Sequence, residues 1–133
     1  CLWTLQFIDV LDRPTVLKRL RASMRDGALM IVAEKIDSSA HVSRYHDWKH
    51  ENGYSRAEIE AKECALRGVL NPLTYDANVA MLRSCGFVVE PLMGWLNFAS
   101  WIAWAVWASA ASTSAAGRLS CSWLARVPSR ASR

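Results

Sequence analysis

The residues best equipped for chemistry crowd into one stretch, "YHDWKHENGYSRAEIEAKECALRGVL", residues 45–70. His46 and His50 stand four apart, so on a helix they share a face. With His41, Asp47 and Glu51 close by in sequence, they could offer a metal pair. The glutamate of an H-E-x-x-H pattern and a clear third ligand are both missing, so the spacing favours histidines on a packed helix, and no metal is expected. Glu63 could serve as a general base, but a lone carboxylate on a charged helix is ordinarily solvated. The charged run from Arg56 to Arg67 reads as a solvated helix that turns Ile59 and Leu66 inward. Trp95, Trp101, Trp104 and Trp107 could stack bases, enter a bilayer or fill a core. Leu92 to Ala111 has about the length of a membrane span. Gly94, Asn97 and Ser100 interrupt it, which favours a strand apolar on both faces, and no membrane is expected.

Elements must position these groups. "CLWTLQFI" is short, apolar and rich in β-formers, which predicts a buried strand. "DRPTVLKRLRASMRDG" predicts a helix with Asp12 as N-cap, Pro14 in the first turn and Gly27 at the stop. Val16, Leu17 and Leu20 form its apolar face, with Met24 one turn on. "ALMIVAEKI" predicts a second buried strand, and strand–helix–strand with short connections is the unit of a parallel sheet. Residues 39–52 predict a helix that breaks at Asn52-Gly53. Ser55 and Glu58 form a capping box opening the next helix, to about Leu66. Residues 74–85 predict another, with Val79 and Leu82 facing in and Gly86 as C-cap. "FVVEPL" and "LNFASWIAWAVW" predict two late strands joined near Gly94, closing the sheet with an antiparallel edge.

Composition sets outer bounds. The chain has 133 residues, 52% of them hydrophobic, enough for one small domain with a core. Residues 1–90 carry 12 Lys/Arg against 12 Asp/Glu, so the body has no net charge. The basic excess sits in Arg118, Arg126, Arg130 and Arg133, and the body lacks a field that would gather phosphates, so direct nucleic-acid contact is not expected. Cys1, Cys64, Cys85 and Cys121 are irregularly spaced, which suits reduced thiols in a cytoplasmic protein. The opening is already strand-like and lacks a signal peptide, as expected of a chain missing its beginning. From about Ser109 the sequence turns to Ser, Ala and Arg with little periodicity, which predicts a disordered tail over 109–133.

"TLQF", "MRDGALMIVAEKI", "HDWKHENGYSRAEIEAKECAL" and "LNFASWIAWA", in this order from Thr4 to Ala105, resemble the carboxy-S-adenosyl-L-methionine synthase family. The block H-D-aromatic-K, then G-Y-S, then E-I is the specific part. The resemblance implies the C-terminal half of a class I methyltransferase, an α/β doubly wound sheet with a helical lid insertion. On this reading residues 1–108 are a partial methyltransferase-like domain, with the insertion at about 39–70. The implied cofactor is S-adenosyl-L-methionine or its carboxy derivative. The implied reaction transfers carbon dioxide from decarboxylating prephenate to the activated methyl, and the product serves wobble-uridine modification in transfer RNA.

The resemblance also implies site positions. The family's cofactor-contacting asparagine falls on Leu2, and its carboxylate-binding arginine falls on Glu63, after Lys62, so both are substituted. His46, Asp47 and Tyr54 fall in the insertion as lid-ordering groups. No catalytic residue is assigned. The family's glycine-rich turn lies upstream of the matched region, and no two of the six glycines here form a G-x-G. The implied partners are a small-molecule substrate and either a second copy or a missing N-terminal half. An ordinary methyltransferase, a non-enzymatic remnant or interaction module, and a membrane-associated fragment are the alternatives.

Overall fold

The structure is a computed structural model and describes residues 1–106. The predicted tail at 109–133, Trp107 and Cys121 lie outside the described residues. The element order is α1 (Arg13–Ser23), β1 (Ala28–Lys35), α2 (Ser39–Glu51), α3 (Arg56–Leu66), α4 (Tyr75–Ser84), β2 (Phe87–Trp95) and β3 (Phe98–Ala105), after a 3-10 turn at Leu5–Phe7. It is an α/β protein.

The sheet runs β1-β3-β2, with β3 antiparallel to both neighbours, so β1 and β2 are parallel to each other. The expected antiparallel edge is corrected: β3 lies at the centre and β2 at the edge. "FASWIAWA" is apolar toward both faces, as a central strand must be, whereas β2 carries Glu90 and Pro91, which suit an edge. The turn is also displaced. Gly94 pairs with Ala99 inside the hairpin, and the chain reverses at Leu96, a non-glycine residue at φ 50°.

The predicted first strand is present only in part. Leu2 makes a single parallel bridge to Ala33. Trp3 N donates to Ala33 O at 2.8 Å, and Ala33 N donates to Cys1 O at 3.1 Å. The backbone then coils into the 3-10 turn, leaving Leu2, Trp3 and Phe7 exposed. The parallel sense of this bridge keeps the expected strand–helix–strand unit.

One face of the sheet makes the core. Val32, Phe87, Val89, Trp101 and Ala103 pack with Leu17 of α1 and with Leu82 and Cys85 at the end of α4. Strand alternation sends the neighbouring residues to the opposite face. There Leu29 is 50%, Ile31 43% and Val88 49% exposed. Gly86 takes φ +88° after α4, the left-handed stop expected of it. Asp12 occupies the N-cap position of α1 without a side-chain cap bond, and Leu20 faces solvent rather than core. The α3 capping box forms in full, with Glu58 N donating to Ser55 Oγ and Ser55 N donating to Glu58 Oε2.

Candidate functional site

Parallel strands present ligands at their carboxyl ends, where loops diverge. The carboxyl end of β1 is Lys35, paired in register with Phe98 of the hairpin. Residues 1–3 run parallel beside it, and α2 crosses the same end. Here five rings meet. Tyr45 is 5.1 Å from Phe98 and 6.1 Å from Trp48, and Trp48 is 5.0 Å from Trp95. Trp3 meets Phe98 edge-on at 5.2 Å. Tyr45 and Trp48 are three apart, which puts them on one helix face, and Trp95 and Phe98 flank the hairpin turn.

Two cavities open beside these rings and share Met93, Gly94, Trp95 and Phe98. One, of about 320 Å³, adds Trp3 and is almost wholly apolar. The other, of about 620 Å³, adds His41, Arg44 and Tyr75 among its walls. Cations also face the rings: Lys49 Nζ stands 4.5 Å from the Tyr45 centroid and Lys35 Nζ 5.7 Å. Burial holds the Lys35 ammonium below its ordinary range; Lys49 lowers it further and Glu63 opposes them. Burial likewise raises the Tyr45 phenol, with Tyr54 adding to it. Aromatic walls with the Arg44 guanidinium among them suit a small organic anion that carries an apolar body.

Glu63 lines a third cavity, of about 260 Å³, with Lys35, Asp37 and Arg67. Its charge therefore works against nearby cations rather than in isolation. Leu2 is exposed and one residue from the ring cluster through Trp3. Asp47 accepts from Arg56 Nη2 at 3.0 Å, an exposed ion pair that ties α2 to α3. His46 is half-buried beside Tyr45, at 6.3 Å between ring centroids. Tyr54 is exposed, and its carbonyl contacts His50 Nδ1 at 2.9 Å. His46, Asp47 and Tyr54 thus lie on the α2–α3 pair rather than in a cavity wall. His41 contacts Ser38 Oγ at 3.1 Å, and among the described residues no group of three His, Cys, Asp or Glu could hold a metal. Among the described residues no helix is long and apolar enough to cross a membrane.

Sequence reasoning missed Glu34. Its carboxylate is 2% exposed and accepts from Leu5 N at 2.9 Å, Gln6 N at 3.0 Å and Thr4 N at 3.3 Å. It folds the backbone just beyond Trp3 and so sets that wall of the site. An acid within "ALMIVAEKI" was the available signal, because a buried carboxylate must find donors. Arg44, Tyr45 and Trp48 were also passed over, although the i, i+3 spacing of the two rings marks a shared face.

The chain is thus an α/β protein with aromatic cavities at the carboxyl ends of β1 and β2 and a helical pair beside them. Over most of its length the chain is related to the carboxy-S-adenosyl-L-methionine synthases. It is 37% identical over 108 residues to the protein of that name from Helicobacter hepaticus, a match covering 76% of this chain and 45% of the relative. Identity is 42% over 108 residues with that of Chromohalobacter salexigens (76% and 40%) and 40% over 110 residues with that of Wolinella succinogenes (77% and 46%). The chain thus spans about half the length of the curated relatives it matches. No protein-family model matches it.

Proposed function

We propose that this chain forms the substrate-side half of an S-adenosylmethionine-dependent transferase of the carboxy-S-adenosyl-L-methionine synthase kind. The supporting observation is that the related region includes the aromatic cavity at the carboxyl end of β1. On this reading the sheet is part of a class I methyltransferase fold and α2–α3 is its lid. The small-molecule substrate is prephenate, the setting is the cytoplasm, and the product serves transfer RNA modification. The described residues fit the carboxylate-bearing side: Arg44 attracts, and Trp95 and Phe98 enclose. They lack a glycine-rich turn or a ribose-binding acid, so they do not by themselves fit the nucleoside. The chain's own work is then to bind, orient and exclude water.

Glu63 favours a second reading, an ordinary methyltransferase using unmodified cofactor. At the clamp position a carboxylate repels where an arginine would grip in bidentate fashion. The test fuses the N-terminal part of the Chromohalobacter salexigens relative to this chain. Titration calorimetry is run with S-adenosylmethionine and with its carboxy form, and mass spectrometry follows turnover with prephenate. The chain alone should give no saturable heat, and the fusion should bind. Glu63→Arg in the fusion should shift preference toward the carboxy form by about tenfold or more, since each ~1.4 kcal/mol is a factor of ten. Tight binding by the chain alone, or a folded fusion that binds neither cofactor, would overturn the proposal. A Glu63 fusion that already prefers the carboxy form would remove Glu63 from the clamp.

A further inference from the structure

Lys35 ends β1, and the cavity of about 260 Å³ beside it lies where α2, α3 and the link at 70–72 meet the strand. Four charged side chains line it: Lys35 and Arg67 are cations, Asp37 and Glu63 anions. Glu63 and Arg67 stand four apart at the end of α3, a spacing at which opposite charges commonly pair. Here they do not. Among the described residues, none of these four side chains forms an ion pair or a hydrogen bond. The Glu63 charge nonetheless reaches Lys35, whose ammonium it favours against burial and Lys49. Charges of both signs therefore face one cavity without being spent on each other.

The remaining walls are aliphatic. Ile36, Val42, Leu66, Leu70 and Pro72 bring no aromatic ring, and each is half-buried. Of the two aromatic cavities, the larger shares only Ile36 with this one and the smaller shares nothing. The volume lies below the range of about 300–1,000 Å³ that holds drug-sized ligands, so the occupant is small. A simple anion would meet two cations and two anions there and gain little net attraction, and a simple cation would fare no better. A molecule that carries both charges can set each against its opposite, and its hydrocarbon then covers the aliphatic walls.

We propose that this cavity binds a free aliphatic α-amino acid of leucine's kind. The carboxylate faces Lys35 and Arg67, the ammonium faces Asp37 and Glu63, and the side chain lies against Val42, Leu66 and Leu70. Asp37, Glu63 and Arg67 are exposed, so water and salt screen them and the affinity is millimolar. The site goes beyond the transferase reading and does not rest on it, so failure of either leaves the other standing.

Ligand-observed NMR titrations of the full chain test it with L-leucine, glycine, isocaproate and isoamylamine. L-leucine should saturate at millimolar concentration. Isocaproate lacks the ammonium, isoamylamine lacks the carboxylate and glycine lacks the side chain. Each should bind about tenfold more weakly or worse, as loss of a charged or an apolar contact implies. Asp37→Asn combined with Glu63→Gln should weaken leucine about tenfold and leave isocaproate bound as well as before or better. Arg67→Gln should weaken leucine and spare isoamylamine. Lys18→Gln, on exposed α1, should change nothing. Circular dichroism checks that each variant keeps the parent's fold, and the single substitutions at Asp37 and Glu63 are read if the double variant does not. No saturable leucine binding, equal binding of leucine and isocaproate, or binding indifferent to these substitutions would overturn the inference. Displacement of leucine by S-adenosylmethionine would assign the cavity to the amino-acid end of that cofactor, and would overturn it too.

Discussion

At the scale of single residues, Glu34 fixes the geometry beside the site. Three backbone N–H groups converge on its two oxygens, and Gln6 Oε1 returns an acceptor to Lys35 N at 2.9 Å. Arg13, itself buried, joins the same corner through Ile8 O and Asn71 O. In Glu34→Gln one oxygen becomes an N–H₂ that faces a donor, which should destabilise the fold by about 1–3 kcal/mol. The pH dependence has a definite sign. Burial raises the Glu34 carboxyl above its ordinary range, against the opposing pull of the Leu5, Gln6 and Thr4 amides and Arg13. Folding therefore favours the protonated form. The contribution from this titration is full below the ordinary carboxyl range and is lost as pH rises through the raised value. Urea midpoints measured from about pH 4 to 7 should fall more steeply for the parent chain than for Glu34→Gln. Parallel profiles would mean that Glu34 titrates alike in the folded and unfolded chain.

At the scale of elements, α3 depends on its cap more than on its packing. Ile59 is its one fully buried side chain, so little tertiary contact holds the helix. Ser55→Ala removes the hydroxyl that accepts from Glu58 N, leaves the backbone N–H of residue 55 donating to Glu58, and should cost about 1 kcal/mol, spent locally. Amide exchange in α3 should quicken about fivefold while the thermal midpoint of the β-sheet stays put; an equal loss across the sheet would show that α3 is part of the core unit. The contrast explains what could be read in advance. The helices at 39–51, 56–66 and 75–84 are signalled by residues within them or next to them, such as Ser55 with Glu58 and Thr74 with its bond to Ala77 N. "CLWTLQFI" misleads because its backbone donors are captured by Glu34, some thirty residues away, and no local pattern reports that. The hairpin misleads because Leu96 takes a positive φ that glycine usually supplies, which drew the expected turn to Gly94. The ring cluster was half legible: the spacing of Tyr45 and Trp48 gives a face, but only the register of Lys35 with Phe98 brings Trp95 to it.

At the scale of the whole molecule, the described sheet has two ends with unlike protection. On one side β1 continues into the short parallel pairing with residues 1–3. On the other, β2 pairs only with β3 and offers an outer edge from Phe87 to Trp95. That outer edge is defended by its own residues. Pro91 has no N–H to donate, the register shifts between Pro91 and Met93, and Glu90 adds a charge. Proline, a bulge and charge are the devices that keep an edge strand from templating another chain. Association through β2 should then be slow in the parent chain despite nearby exposed Val88, Leu92 and Met93. Pro91→Val restores a donor and a strong β-former without altering charge. It should raise the rate of light-scattering growth about tenfold at equal concentration, with a cross-β dye signal, if the edge is what the proline guards. Glu90→Lys, which keeps a charge at the edge, should leave the rate near that of the parent. Equal rates for Pro91→Val and the parent would place self-association elsewhere, on the open sheet face or at residues 1–3, and would mean that covering the apolar face is the larger requirement for a soluble molecule.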